Sequence, residues 1–124
     1  MSAPGVRVDL QLSARAGRAC TVVKVGGQLD MDTGPELDGV LQEVADAGAT
    51  QVVLDFADVS FMDSSGLGVL MTWFKQVESR GGRLCVAAVQ EPVAYVLRVS
   101  AVDQVLAVYD TVAAAEADMP PGPS

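Results

Sequence analysis

Apolar and polar residues alternate with a period of two at the start of the chain, which is typical of a strand with one buried face. Residues 6–12 show this alternation, and the β-branched segment 20–25 follows after a turn at 15–18. The two segments predict an antiparallel hairpin. Gly26-Gly27 marks the end of its second strand or a bulge.

Further along, short apolar runs alternate with segments in which apolar residues recur at helical spacing. The runs predict strands at 51–56, 83–89 and 105–109, and the spacing predicts helices starting at 33, at 65 or 66, at 91 and at 111. Thr33 and Glu36 have the spacing of a capping box. Strands that alternate with helices predict right-handed crossovers. We therefore expect an α/β fold, a mostly parallel sheet with an N-terminal antiparallel hairpin and helices packed on it.

The burial of individual faces follows from the same periodicities. In the central strand Val52 and Leu54 point to one face and Val53 to the other, so one face is expected to be buried and the second partly covered. The second helix is expected to turn an apolar stripe inward, formed by Leu67, Leu70, Met71, Phe74 and Val77. Trp73 falls off this stripe, and we assign it to packing between helices; the alternative is an exposed apolar contribution to a partner surface.

The length of 124 residues fits one domain, placed at 6–118 between a leader at 1–5 and a disordered tail at 119–124. Cys20 and Cys85 lie in apolar segments and are expected to be buried free thiols, as is usual in the cytoplasm. No signal sequence and no membrane span is expected.

Histidine is absent, which excludes a Ser-His-Asp triad and most transition-metal sites. The sequence also lacks a phosphate-binding loop of the Gly-x-x-x-x-Gly-Lys-Ser/Thr type and a Gly-x-Ser-x-Gly nucleophile elbow. We therefore expect no enzyme activity, no catalytic residue, no metal and no cofactor.

The charge pattern bears on partners. The formal net charge is -8, so the electrostatic attraction that drives nucleic-acid binding is missing. Residues 25–74 contain no Lys or Arg and nine acidic residues. Most of these charges are accounted for by a solvated face. A subset, Asp30, Asp58 and Asp63, is expected to edge a surface that meets a basic partner.

Residues 61–68, Phe-Met-Asp-Ser-Ser-Gly-Leu-Gly, lie between the central strand and the second helix. The first amides of a helix lack intrahelical partners and carry the positive end of its dipole, so hydroxyls and anions are favoured there. On local chemistry alone, Asp63, Ser64 or Ser65 is simply the N-cap of the helix. The alternative is that Ser64 presents its hydroxyl for modification.

This octapeptide resembles the signature of the STAS domain in bacterial anti-sigma factor antagonists, where a partner kinase phosphorylates the serine after the aspartate. Residues 27–30, Gly-Gln-Leu-Asp, followed by Thr33, resemble the Gly-Glu-Leu-Asp element of that family, with Gln28 in place of Glu. Ser100-Ala101-Val102 stands where members often carry Ser-Gly-Leu. The resemblance covers residues 6–110.

The resemblance implies a protein that binds an anti-sigma factor with serine kinase activity and thereby frees a sigma factor. Phosphorylation of Ser64 would switch this binding off, and a serine phosphatase would restore it; neither nucleic acid nor membrane is an expected partner. The residues expected to contact the partner are Asp30, Thr33, Asp58, Met62, Asp63, Ser65, Gly66 and Leu67. The alternative function is a STAS interaction module or scaffold subunit of a sensory or transport assembly, without a phosphate cycle.

Overall fold

The computed structural model describes residues 10–17 and 19–119, and within them a five-stranded sheet is flanked by four α-helices. The elements in chain order are β1 (Gln11–Gly17), β2 (Cys20–Leu29), α1 (Gly34–Asp46), β3 (Gln51–Met62), α2 (Ser64–Ser79), β4 (Arg83–Ala87), α3 (Glu91–Val99), a 3-10 turn (Val102–Gln104), β5 (Val108–Tyr109) and α4 (Val112–Ala117).

The strands lie in the order β1-β2-β3-β4-β5. β1 and β2 are antiparallel and every other neighbouring pair is parallel, which confirms the predicted α/β fold. From β2 onward the sheet grows in one direction, so right-handed crossovers place α1, α2 and α3 on the same face. The core on that face indeed takes buried residues from all three helices.

The two faces of the sheet are covered to different extents, as the central strand predicted. Val52 and Leu54 of β3 belong to the large core beneath α1, α2 and α3. Val53 points to the opposite face, where a smaller cluster includes Cys85 and Ala115 of α4. Because α4 has only six residues, it shields a limited part of this second face.

The N-terminal hairpin differs from its predicted boundaries. β1 runs from Gln11 to Gly17, whereas residues 6–9 of the predicted strand lie outside the described residues. The turn predicted at 15–18 is wrong, because Arg15 pairs with Val22 inside the ladder. Small and charged residues suggested a turn here. At a sheet edge they are tolerated in a strand, because most of its side chains are solvated.

β2 and β3 both continue beyond the ends that hydrophobicity predicted. Their pairing shifts register between Lys24 and Gly26 and again between Gly27 and Gln28, so Gly26-Gly27 marks a bulge region. The extra residues are absorbed there and the ladder resumes, which carries β3 to Met62. The predicted end of the central strand at Phe56 is therefore wrong, because the residues that follow continue the strand.

Trp73 packs between helices, as expected from its position off the predicted stripe. It is 2% exposed, and its indole Nε1 donates a 2.7 Å hydrogen bond to Asp38 Oδ1 of α1. The buried stripe of α2 is Gly66, Leu70, Trp73 and Val77. Leu67 and Phe74 are partly buried and pack against the core, as the predicted stripe requires, whereas Met71 is half-buried and is not among the residues packed there. The prediction for Met71 is therefore wrong, and Trp73 belongs to the buried stripe instead.

Both cysteines are free thiols, as predicted. Cys85 is buried, and burial raises its pKa to about 11, whereas Cys20 is only half-buried. The predicted tail begins at Met119, which is buried in the cluster under α4; residues 120–124 and the predicted leader at 1–5 lie outside the described residues. No helix in the described ranges has the length and apolar character that crossing a membrane requires.

Replacing Ala101 by glycine should stabilise the fold. Ala101 follows α3 with φ +60° and ψ +16°, a left-handed conformation that costs an L-residue about 1–2 kcal/mol. Glycine relieves this strain but gains entropy in the unfolded chain, so Ala101→Gly should raise the free energy of unfolding by about 0.5–1 kcal/mol. Urea denaturation followed by Trp73 fluorescence measures the change.

The matched control is Ala94→Gly, which removes the same methyl group from the interior of α3. This variant should lose about 0.5–1 kcal/mol, because glycine is disfavoured within helices. A loss of stability in Ala101→Gly as large as in Ala94→Gly would contradict the assigned strain.

Candidate functional site

The loops that follow β2 and β3 lie side by side. At the ends of these two parallel strands Gln28 pairs with Phe61 and Leu29 with Met62. The β2–α1 turn at residues 30–33 therefore begins beside Asp63, which precedes α2. This is the juxtaposition predicted from neighbouring parallel strands, whose carboxyl ends form the usual location of binding loops.

Asp63 is the residue that caps α2. One of its carboxylate oxygens accepts hydrogen bonds from the amides of Ser65 at 2.9 Å and Gly66 at 3.1 Å. The carbonyl of Asp63 accepts a third from the amide of Leu67 at 3.0 Å. These three amides at the start of the helix thus already have partners, including those of Gly66 and Leu67 that could otherwise have held a phosphate.

Ser64 occupies the first position of α2 and is exposed. Within the described residues its hydroxyl takes part in no hydrogen bond, because the capping role belongs to Asp63. A helical backbone fixes the Cα–Cβ direction of Ser64, so the hydroxyl is held on the surface without being consumed by the fold. Such a group is accessible to an enzyme that transfers a phosphoryl group to a side-chain oxygen.

The carbonyl of Leu29 joins the end of β2 to the start of α2. It accepts a hydrogen bond from the amide of Asp63 at 3.2 Å. Gly66 comes so close that a Cβ atom at this position would lie 2.6 Å from the same oxygen. Contacts this short do not occur in real structures, so only glycine permits this approach of the helix to the strand.

The β2–α1 turn is held by a compact set of polar contacts. Oδ1 of Asp30 accepts hydrogen bonds from the amides of Asp32 and Thr33, at 3.0 and 3.1 Å. Thr33 Oγ1 accepts from the amide of Asp30 at 3.0 Å and donates to the carbonyl of Gln28 at 2.7 Å. The capping box predicted for Thr33 and Glu36 is therefore wrong, because the hydroxyl faces back into the turn and caps no amide of α1.

The predicted contact residues differ in exposure and position. Ser65 and Asp58 are exposed; Asp30, Asp63 and Leu67 are partly buried; Thr33, Met62 and Gly66 are buried. Asp58 pairs with Lys24 at 3.5 Å. It also precedes the end of β3 by four residues, roughly 13 Å along a strand. The structure thus brings the other predicted residues together around Ser64 and leaves Asp58 apart.

Carboxylates dominate the charge near Ser64. Asp30 and Asp32 lie in the neighbouring turn and Asp63 directly precedes the serine, while neither loop carries a cation. Lys24, the last cation before this region in sequence, is already paired with Asp58. Additional negative charge at Ser64 would therefore meet no neutralising side chain from its own loops.

Two exposed apolar side chains belong to the segments next to Ser64 and were not among the predicted contact residues. Met31 lies in the β2–α1 turn with 72% of its surface exposed, and Phe61 lies near the end of β3 with 45% exposed. Isolated exposed apolar residues are common, but two beside an exposed serine form a surface that a partner could cover. Phe61 stands in the octapeptide; only its exposure distinguishes it from a core residue.

The described residues include no group of three or more Cys, Asp or Glu side chains arranged to hold a metal ion. An open groove of about 610 Å³ lies between β1 and the second half of α1, at the end of the sheet opposite Ser64. None of its lining residues belongs to the two loops. The geometry around Ser64 is that of an exposed surface formed by two loops and a helix terminus.

The amino-acid sequence is similar to those of known proteins. The family model described as STAS domain matches residues 11–115. The anti-sigma F factor antagonist of Paenibacillus polymyxa is 30% identical over 104 residues, which cover 83% of this chain and 89% of that protein. The anti-sigma-B factor antagonist of Staphylococcus epidermidis is 41% identical over 69 residues, 56% of this chain and 64% of that protein, slightly under two thirds of its length.

The fold has solved counterparts. A crystal structure of an anti-sigma factor antagonist from Mycobacterium paratuberculosis superposes with a TM-score of 0.82, covering 96% of this chain and 98% of that one. Sequence identity in this pair is 24%, so the likeness concerns the fold.

Adding a methyl group at Gly66 should disrupt the site. Gly66→Ala places a Cβ atom against the Leu29 carbonyl, and we expect the free energy of unfolding to fall by about 1–3 kcal/mol, the usual cost of overpacking. Gly68→Ala is the matched control, because no atom lies within 4 Å of its added Cβ. It should gain about 0.5–1 kcal/mol, as alanine is preferred within a helix. Urea denaturation of both variants measures the difference, and equal stabilities would contradict the close approach.

Proposed function

Because the chain belongs to the STAS domain family, we propose that it is an anti-sigma factor antagonist that is controlled by phosphorylation of Ser64. In the unmodified state the surface around Ser64 binds an anti-sigma factor with serine kinase activity and so frees a sigma factor. Phosphorylation by that partner ends the interaction, and a serine phosphatase restores it. The protein acts in the cytoplasm, where transcription takes place, and binds neither nucleic acid nor membrane.

The observation that carries this proposal is the division of roles between Asp63 and Ser64. Asp63 caps the helix, and Ser64 is left with an exposed hydroxyl that no described group engages. A serine that served only as a cap would have this hydroxyl bound to an amide. The exposed and unbonded hydroxyl of Ser64 instead supports a role as the group that receives a phosphoryl group, because no structural contact depends on it.

The electrostatics support an inhibitory direction for the switch. A phosphate adds about -1.5 to -2 charges and three acceptor oxygens. Its neighbour Asp63 is a carboxylate that already engages the amides of Ser65 and Gly66. In the free protein the phosphate would remain in water, at little cost to the fold. Covered by a partner shaped for a neutral hydroxyl, it would be desolvated and left without a counterion.

Burial of a single unpaired charge is enough to explain the expected loss of affinity for the partner. A 100-fold loss of affinity corresponds to about 2.7 kcal/mol. Burial of an unpaired charged group costs at least this much. No rearrangement of the sheet or helices is required, so the switch acts at the surface.

The surface itself suggests the chemistry of the partner. Met31 in the neighbouring turn and Phe61 near the end of β3 offer exposed apolar area, and Asp30, Asp32 and Asp63 offer negative charge. A complementary face would combine an apolar depression with Arg or Lys side chains. Thr33, Met62 and Gly66 are buried, so their contribution would be to hold the two loops in shape.

The decisive test of the modification is phosphopeptide mapping of the protein recovered from its own cells, under growth and under stress or starvation. We expect phosphate on Ser64, at a level that changes with condition, and none on Ser65. Ser64 without phosphate in every condition, with intact mass confirming full recovery, would favour the non-switching interaction module instead.

The direction of the switch is tested by the affinity of the co-purifying anti-sigma factor for the unmodified and the Ser64-phosphorylated protein, measured by calorimetry. We expect binding of the phosphorylated form to be weaker by about 100-fold, which is about 2.7 kcal/mol. Ser64→Ala should bind under phosphorylating conditions in which the wild type is released, whereas Ser65→Ala, the matched control, should still be released. Equal affinity of the two forms would contradict the proposal.

A further inference from the structure

Thr33 occupies a position that neither a core residue nor a contact residue explains. Its side chain is only 2% exposed, so a partner cannot reach it. It is nevertheless polar, and its hydroxyl group accepts a hydrogen bond from the Asp30 amide and donates to the Gln28 carbonyl at 2.7 Å, with Asp30 Oδ1 as an alternative acceptor at 3.2 Å. A buried hydroxyl with two backbone partners fixes the orientation of the peptide groups that it joins.

One of these peptide groups leads directly to Ser64. The amide of Asp30 and the carbonyl of Leu29 belong to the same planar peptide unit. The amide of Asp30 donates a 3.0 Å hydrogen bond to Thr33 Oγ1. The carbonyl of Leu29, in the same peptide unit, accepts a 3.2 Å hydrogen bond from the amide of Asp63. The path from Thr33 Oγ1 to the residue before Ser64 thus contains two hydrogen bonds and one rigid peptide plane.

The same carbonyl sets the distance between strand and helix. Gly66 lies against the Leu29 oxygen with no room for a side chain, so rotation of the peptide plane would move the first turn of α2. Asp63 precedes Ser64 and Gly66 follows it by two residues, which places the serine between the two contacts. The orientation of this peptide unit therefore influences the position of the Ser64 backbone, and with it the direction of the Ser64 Cα–Cβ bond.

We propose that Thr33 is a positioning residue for Ser64, acting through the Leu29–Asp30 peptide unit rather than through contact with a partner. This inference rests on the proposed phosphorylation of Ser64 for its functional part, whereas its structural part is independent. Loss of the hydroxyl leaves the Asp30 amide and the Gln28 carbonyl without this partner. The peptide unit then keeps its contacts with the Asp63 amide and with Gly66 but loses the hydroxyl group that orients it, so the acceptor of the Asp63 amide is held less tightly.

The structural part is tested by amide hydrogen exchange of the ¹⁵N-labelled full chain, read by NMR at Asp63 and at the core residue Val86. Thr33→Val removes the hydroxyl at nearly constant volume, and Thr33→Ser retains it. We expect exchange at Asp63 to accelerate about fivefold to tenfold more than at Val86 in Thr33→Val, and Thr33→Ser to stay within about twofold of the wild type. Equal acceleration at both amides, or an equal defect in Thr33→Ser, would overturn the proposal.

A control separates positioning from a general loss of stability. Thr111→Val removes another hydroxyl with a backbone partner, the N-cap of α4, whose oxygen accepts the Ala114 amide at 3.0 Å. In this variant Asp63 should not exchange faster relative to Val86. If Thr33→Val does not fold, Thr33→Ala removes the hydroxyl without placing a methyl group against the polar turn, and the same differences are expected.

The functional part is tested by the fraction of Ser64 phosphorylated in the source cells, at matched abundance of each variant. We expect at least a fivefold reduction in Thr33→Val and none in Thr33→Ser or Thr111→Val. An unchanged fraction in Thr33→Val despite faster exchange at Asp63 would overturn the functional part. Absence of phosphate from wild-type Ser64 would reject the proposed function, while the exchange experiment would still decide whether Thr33 positions the loop.

Discussion

The contacts of the Leu29 carbonyl oxygen fix the position of the candidate site. This oxygen ends β2, receives the amide of Asp63 and lies against the backbone of Gly66. These contacts join two segments that lie more than thirty residues apart in the chain. Because parallel pairing of β2 and β3 continues to Leu29 and Met62, the two loops are in register where they leave the sheet. The first turn of α2 therefore has a fixed place on a rigid support.

This arrangement would allow the proposed switch at Ser64 to act without disturbing the fold. The dipole and the amides at the start of α2 are satisfied by Asp63, which leaves Ser64 chemically unused. The proposed phosphorylation would then alter the surface without competing with a structural interaction. In the proposed complex, the exposed side chains of Met31 and Phe61 would supply contact area, and the surrounding carboxylates would make the added charge more costly to bury.

Hydrophobic periodicity predicted the parallel sheet, the presence of an N-terminal hairpin and the start of α3 at residue 91. Periodicity mispredicted the bounds of strands whose side chains are mostly exposed or whose pairing is irregular. β1 is an edge strand with mostly solvated side chains, and β3 passes through register shifts that break the alternation. The inward face of α2 was partly wrong because the hydrogen bond between Trp73 and Asp38 links two helices, which the spacing within one helix does not report.

The contrast between Thr33 and Ser64 shows where sequence information ends. Both are hydroxyl residues at the start of a helix that follows a parallel strand, and local preferences treat them alike. The sequence by itself determined that each would stand at such a junction, because strand and helix periods meet there. Only the tertiary structure decided that Thr33 is 2% exposed and bonded within its turn while Ser64 is exposed at the surface. The physical reason is that burial and hydrogen-bond partners depend on which backbone groups the neighbouring strand brings close, and that neighbour is distant in sequence.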